Sequence, residues 1–388
     1  RCNYEDNSVN AYNGSISVQS LDTDCDGVSF GESGGSGTQA GGSFSILGGG
    51  TTKFIGGDLY FREFTYGGTV TTTLELPSTA GYVYNYDSNW GGDVAFEAPR
   101  VYTRGTTYEG TASLTKTGAS DDACVGGNTF KGNTILANSG TDYFMMGNGT
   151  ADDFQADLTM INTSSEHLLI ANNSAGNKVG GNFYVTNSGT GSDADVRINM
   201  SYTSTLDITG NVTILQDGSS DGSDVIFGEE GTVTVGGDLD ITNSGTGTSS
   251  YVHISDYQAG APAGNTTVTV AGNCTVVNSG TGTNSYVYLG EDGDLSITGT
   301  LTIDNSSVAT TARVYVGSGT NSTVDITGNT SVSNSGTQTT SEVYLGNNGD
   351  VTFGGDLAIS NSATATSSEV RCNYEDNSVN AYNGSISV

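Results

Sequence analysis

Proline is almost missing from this sequence, at 3 of 388 residues, and positive charge is nearly as scarce, with 11 lysines and arginines against 42 aspartates and glutamates. The net charge of -31 repels phosphate backbones and anionic lipid heads, which argues against nucleic acid and membrane surfaces as partners. It suits a chain that stays soluble at high density, and equally one that attracts divalent cations. No apolar run reaches the roughly 18 residues that cross a bilayer as a helix, so no membrane insertion is expected. No secretory signal opens the chain. Histidine occurs only at His167 and His253, too far apart in the repeat order for a His-based catalytic pair or a multi-His metal site. Helical patterning is lacking as well, since apolar residues nowhere recur at helical spacing for three turns.

Glycine is abundant, at 58 residues, alongside serine, threonine, asparagine and valine. Such a composition can mean disorder. Here, however, Val, Ile, Leu and Phe return in short alternating runs at a fixed spacing, the pattern of strands bounded by turns.

Two periods are superimposed. Residues 1–18, RCNYEDNSVNAYNGSISV, recur letter for letter at 371–388, an offset of 370 residues. Within that period GTVTVGGDLDITNSGTGTSSYVHIS (231–255), TTVTVAGNCTVVNSGTGTNSYVYLG (266–290) and STVDITGNTSVSNSGTQTTSEVYLG (322–346) superimpose, with a glycine mark at Gly237, Gly272, Gly299, Gly328 and Gly355. Each unit holds three short strands whose inward residues are, in the first unit, Val233 and Val235, Leu239 and Ile241, and Val252 and Ile254. One unit cannot bury three apolar faces alone, whereas stacked units can. The reading is an all-β parallel β-solenoid with a rung of about 27 residues, so that one long period of roughly 13 rungs rises ~60 Å. Immunoglobulin-like modules and propeller blades need longer units.

The chain divides into solenoid rungs at 1–31, an irregular aromatic-rich stretch at 32–131 read as excursions from the rod, regular solenoid at 132–370, and the start of the next copy at 371–388. No linker separates the copies. Val370 and Cys372 are expected in the inward places held by Val343 and Leu345. Ile386 and Val388 (Ile16 and Val18 in the first copy) are expected in those of Val351 and Phe353.

Several positions can carry chemistry. The turn after the middle strand repeats Asn138, Asn162, Asn187, Asn243, Asn278, Asn305, Asn334 and Asn361, read as a stacked structural ladder. The competing reading is glycosylation, because Asn162 and Asn305 open N-x-S/T triplets. Asp22, Asp24 and Asp26, followed by Gly27, partly resemble the start of a calcium loop, against which stands the reading of a solvated acidic turn. Cys2 and Cys274 take inward places, Cys25 lies in a turn, and Cys124 matches the outward Ile226; a bridge between Cys2 and Cys25 is not expected. Outward on the third strand, His253, Tyr288, Tyr315, Tyr344 and Arg371 align. This column suits lateral packing or sugar stacking, or else pairing within the sheet.

The phrases GGDLDITNSGTGTSSYVHI, GNCTVVNSGTGTNSYVYLGEDG and SEVYLGNNGDVTFGGDLAISNS resemble very large secreted repeat proteins of marine Bacteroidota, a group with gliding adhesins and grappling-hook filaments. The resemblance is close over roughly 120–370 and poor over 20–120. It implies an extracellular or cell-surface protein that builds long structures of many chains. The expected function is therefore the structural repeat unit of an extracellular filament or adhesive stalk, a homo-oligomer of copies of itself that attaches to cells, surfaces or cell-surface glycans, and not an enzyme. The alternatives are a polysaccharide-binding module and a β-helix polysaccharide lyase. A lyase needs an Asp cluster with Lys or Arg on a uronate, and no such constellation stands out among so few basic residues.

Overall fold

A computed structural model of the chain describes residues 58–67, 81–256, 266–320, 322–374 and 379–388, together with the backbone of the strands Val9–Tyr12, Ser17–Gln19, Val28–Phe30, Ser43–Ile46, Lys53–Ile55 and Thr72–Glu75. Among these residues there is no helix, and strand pairs parallel to strand one rung away. The protein is a parallel β-solenoid with three faces. The first and second are sheets of fifteen strands, from Val9–Tyr12 to Asn380–Tyr382 and from Ser17–Gln19 to Ile386–Ser387. The third is divided into a four-stranded sheet, Val28–Phe30 to Arg100–Arg104, and a ten-stranded sheet, Asp122–Ala123 to Ser367–Cys372. Asn10 and its repeat Asn380 lie in the end strands of the first face, so one period takes fourteen steps and rises ~67 Å.

The alternation in the sequence sets the core. Val233, Val235, Leu239, Ile241, Val252 and Ile254 are all buried, and each lies over its counterpart one rung on, as Leu239 lies over Cys274 and Cys274 over Leu301. Cys274 fills its inward place as a small apolar residue, its thiol pushed up to about 12 by burial. The glycine mark is a corner at which successive backbones meet. Gly272 donates to the Gly237 carbonyl at 3.0 Å and Gly299 to that of Gly272 at 2.9 Å. A Cβ on Gly299 would stand 2.4 Å from the Gly272 oxygen, so glycine fills the corner at Gly237, Gly272, Gly299, Gly328 and Gly355; Ala156 is the one non-glycine corner residue among those that bond in this way.

Residues 81–131, expected as excursions, run instead as tight rungs of the same solenoid. Val94 pairs with Ala112 only 18 residues on, and Ala112 with Thr134 after 22. Their Trp90, Phe96, Tyr108 and Phe130 point inward, whereas Tyr84, Tyr86 and Tyr102 face outward. Trp90 is fully buried with its ring 4.9 to 5.9 Å from those of Phe61, Phe64, Tyr66 and Phe96. Tyr108, Phe130 and Phe154 stack in a column at 4.7 Å per step. Shorter turns filled with larger rings replace longer turns filled with aliphatics.

The third face divides because two side chains occupy the place of a backbone ladder. Asp122 sits in an inward position, fully buried; its Oδ2 accepts from the Val101 N–H at 2.7 Å and its Oδ1 from Arg100 Nε at 2.6 Å. Cys124 Sγ accepts from the Thr103 N–H. Cys124 is therefore inward and buried, not outward; Ala123 holds the register of Ile226.

Pairing runs on into the repeated residues. Val370 lies over Val343 and Cys372 over Leu345, as the sequence suggests. Ile386, however, pairs with Leu357 on the second face, not with Val351, and Val388 follows it on that face. The first-face place over Val351 and Phe353 belongs to Asn380 and Tyr382. Asn380 interrupts the apolar alternation that would have marked this strand, and its Nδ2 instead bonds the Leu345 carbonyl at 2.7 Å.

Candidate functional site on the third face

The Asn column lies where the second face turns toward the third. Asn138, Asn162, Asn187, Asn243, Asn278, Asn305 and Asn334 are fully buried, and Asn361, on the last complete rung, is exposed. Register is continuous from Lys116 through Asn138, Asn162, Asn187, Gln216, Asn243, Asn278, Asn305 and Asn334 to Asn361. Lys116 and Gln216 thus belong to the column, although the Asn motif did not mark them. Amide bonds amide along it: Asn278 Nδ2 to Asn305 Oδ1 and Asn305 Nδ2 to Asn334 Oδ1, both at 2.9 Å. Serines on the next strand cap the oxygens, as Ser285 does on Asn278 at 2.6 Å. Buried amides with these partners have no access to a glycan. Lys116 takes over the donor role at the column's head, giving its Nζ protons to the Gly118 and Asp142 carbonyls at 2.7 and 2.8 Å, and burial lowers its pKa.

Outward from the ten-stranded sheet, His253 stacks on Tyr288, Tyr288 on Tyr315 and Tyr315 on Tyr344, each at 4.9 Å with planes within 9°. Arg371 continues the register and lies over Tyr344 and Tyr374, with its guanidinium 4.4 Å from the latter ring. A second column beside it stacks Tyr251 on Tyr286, with Arg313 over the latter. These rings spend their faces on one another, so Tyr288, Tyr315 and Tyr344 present edges and hydroxyls to a neighbour, and Tyr344 is nearly buried. That geometry is in-sheet pairing.

At the head of this column, and unforeseen, His253 meets Glu291 and Asp256. Its Nδ1 bonds Glu291 Oε2, and the three donor atoms lie within 4.8 Å of one another. Burial works against the imidazolium, but the Glu291 hydrogen bond and the charges of Glu291, Asp256 and Asp224 outweigh it and raise the pKa to about 9. One nitrogen and two carboxylates can hold a divalent cation. With the imidazole protonated they form an ion-paired cluster. The signal was in the repeat alignment, which sets Asp256 over Glu291.

The four-stranded sheet carries the other aromatic group. Tyr60, Tyr84 and Tyr102 share one outward column, and Arg62, Tyr86 and Arg104 the next. Tyr60 and Tyr84 stack at 4.8 Å, and burial pushes the Tyr86 hydroxyl up to about 12. Tyr60, Arg62, Tyr86, Asp87 and Arg104 line a cleft of about 270 Å³. The proposed calcium residues Asp22, Asp24 and Asp26, and Cys2 and Cys25, lie outside the described residues.

Comparison with family models, with curated proteins and with solved structures finds no match to this chain.

Proposed function

We propose that the chain is a repeat unit of an extracellular filament or adhesive stalk, in which copies continue one another as a single solenoid. The observation that carries this reading is the unbroken strand register through the repeated sequence. Val370 and Cys372 keep the third face, Tyr382 stacks its ring on Phe353 at 5.2 Å on the first, and Ile386 extends the second. A solenoid gains stability with each added neighbour, so tandem copies without a linker reinforce one another. The acidic surface keeps such rods soluble at high density.

A protein of two or three tandem periods, imaged by electron microscopy, tests this. Straight rods that lengthen by ~67 Å per period are expected. Globules joined by a hinge near Val370 would refute it.

A further inference from the structure

We propose that the cleft lined by Tyr60, Arg62, Tyr86, Asp87 and Arg104 binds an acidic saccharide, its tyrosines against the sugar ring and its two guanidinium groups on the ring's carboxylate or sulfate. The inference does not depend on whether copies of the chain polymerise.

Register builds the site. Arg62, Tyr86 and Arg104 occupy one outward column on three successive rungs, so Tyr86 is bracketed by a guanidinium one rung to either side, with about 10 Å between the two arginine backbones. Tyr60 lies beside Arg62 on the same strand face. Tyr86 is fixed by neighbours on both sides, its ring 6.1 Å from that of Tyr84 and 5.3 Å from that of Tyr102. A wall held this way loses little entropy when a ligand arrives. The volume, about 270 Å³, falls just below the roughly 300 Å³ at which pockets for drug-sized ligands begin. One sugar ring suits it better than a large cofactor.

Charge sets the class of ligand. Acidic residues outnumber basic ones 42 to 11, and along the third face other arginines are matched: Arg100 with Asp122, Arg197 with Glu229, Arg313 with Glu342 and Arg371 with Glu369. Arg62 and Arg104 make no ion pair among the described residues. Asp87 shares the cleft, which leaves it one positive charge in excess. Planar guanidinium groups match carboxylate and sulfate oxygens in paired hydrogen bonds. The rod as a whole repels a polyanion, but at physiological salt that field decays over about 8 Å, and the arginines decide at contact.

The test titrates the 388-residue protein, by calorimetry, with carboxylated alginate oligomers, sulfated heparin oligosaccharides and neutral laminarin oligosaccharides. Binding of at least one acidic class without the neutral one is expected, and the two acidic arms tell carboxylate from sulfate. Joint replacement Arg62→Gln and Arg104→Gln, at solvent-accessible positions that leave the strand signal in circular dichroism intact, should lower affinity about tenfold or more. Arg313→Gln, which breaks an ion pair elsewhere on the face, should leave it unchanged. Failure to bind either acidic class, equal binding of the neutral oligomer, undiminished affinity in the double variant or an equal loss in Arg313→Gln would overturn the proposal.

Discussion

Asp152 sits in the solenoid interior between Asn128 and Asn177, fully buried, and its Oδ1 accepts from both the backbone N–H and the Nδ2 of Asn128 at 2.9 Å. Those bonds favour the carboxylate, but burial dominates and pushes its pKa up to about 7. An ionised carboxylate there is a cost that the fold carries at alkaline pH. Asp152→Asn keeps the acceptor and removes the charge. The variant's stability advantage over the parent should be larger at about pH 8 than at about pH 5 by roughly 2 to 3 kcal/mol, and should close only near pH 4, where the unfolded Asp152 is protonated as well. Urea unfolding at both pH values measures this; a variant less stable at the higher pH would show that the charge is well accommodated. Asp122 has a comparable position with a different solution, since Arg100 reaches it and its pKa rises only to about 6.

At the scale of the rung, the corner column is the least forgiving element. Gly299 meets the Gly272 carbonyl, and a methyl group placed 2.4 Å from that oxygen forces the backbone to move. Gly299→Ala should cost about 2 kcal/mol or more despite its small size, read from the unfolding midpoint. An unchanged midpoint would mean that the corner yields freely. This column was legible in the sequence because the close backbone contact favours glycine, Ala156 excepted, and the Asn column was legible because a buried ladder needs like amides in register. The tight rungs over 81–131 were not legible, because their steps of 18 and 22 residues are shorter than the period established downstream and rings stand in for aliphatics. The triplets Tyr60-Phe61-Arg62, Tyr84-Asn85-Tyr86 and Tyr102-Thr103-Arg104 repeat the outward pattern of the cleft, yet they read as irregularity until the shorter step is known. Where the reading slipped, by one place at Cys124 and by a whole face at Ile386, a polar residue holds an inward or partly inward position: Asp122 in one case, Asn380 in the other. Alternation of apolar residues cannot count a strand whose buried member is polar and paired.

For the whole rod, the buried aspartates act in one direction, opposed only over the span just below pH 6.5 by His167, whose pKa burial lowers. Burial raises Asp122 and Asp224 to about 6, and Asp152 and Asp195 to about 7, whereas the unfolded chain releases these protons near pH 3.9. Across that window the folded state holds protons that the unfolded chain has lost, so stability falls as pH rises, by roughly 1.4 kcal/mol per pH unit for each group at most. His253 extends the trend. Its folded pKa of about 9 lies above the unfolded value near 6.5, so its contribution is complete below about 6.5 and is lost as pH rises through about 9. Repulsion among the surface carboxylates, which underlie the net charge of -31, also eases on the acid side. The rod should therefore melt higher at about pH 5 than at about pH 9, the reverse of a fold held by exposed ion pairs, whose carboxylates lose their partners in acid. Thermal midpoints across that range provide the measurement, and His253→Gln should flatten the alkaline limb alone. A midpoint that climbs toward pH 9 would mean that the buried aspartates are ionised at little cost, and the interior polar columns would then have to be solvated rather than dry.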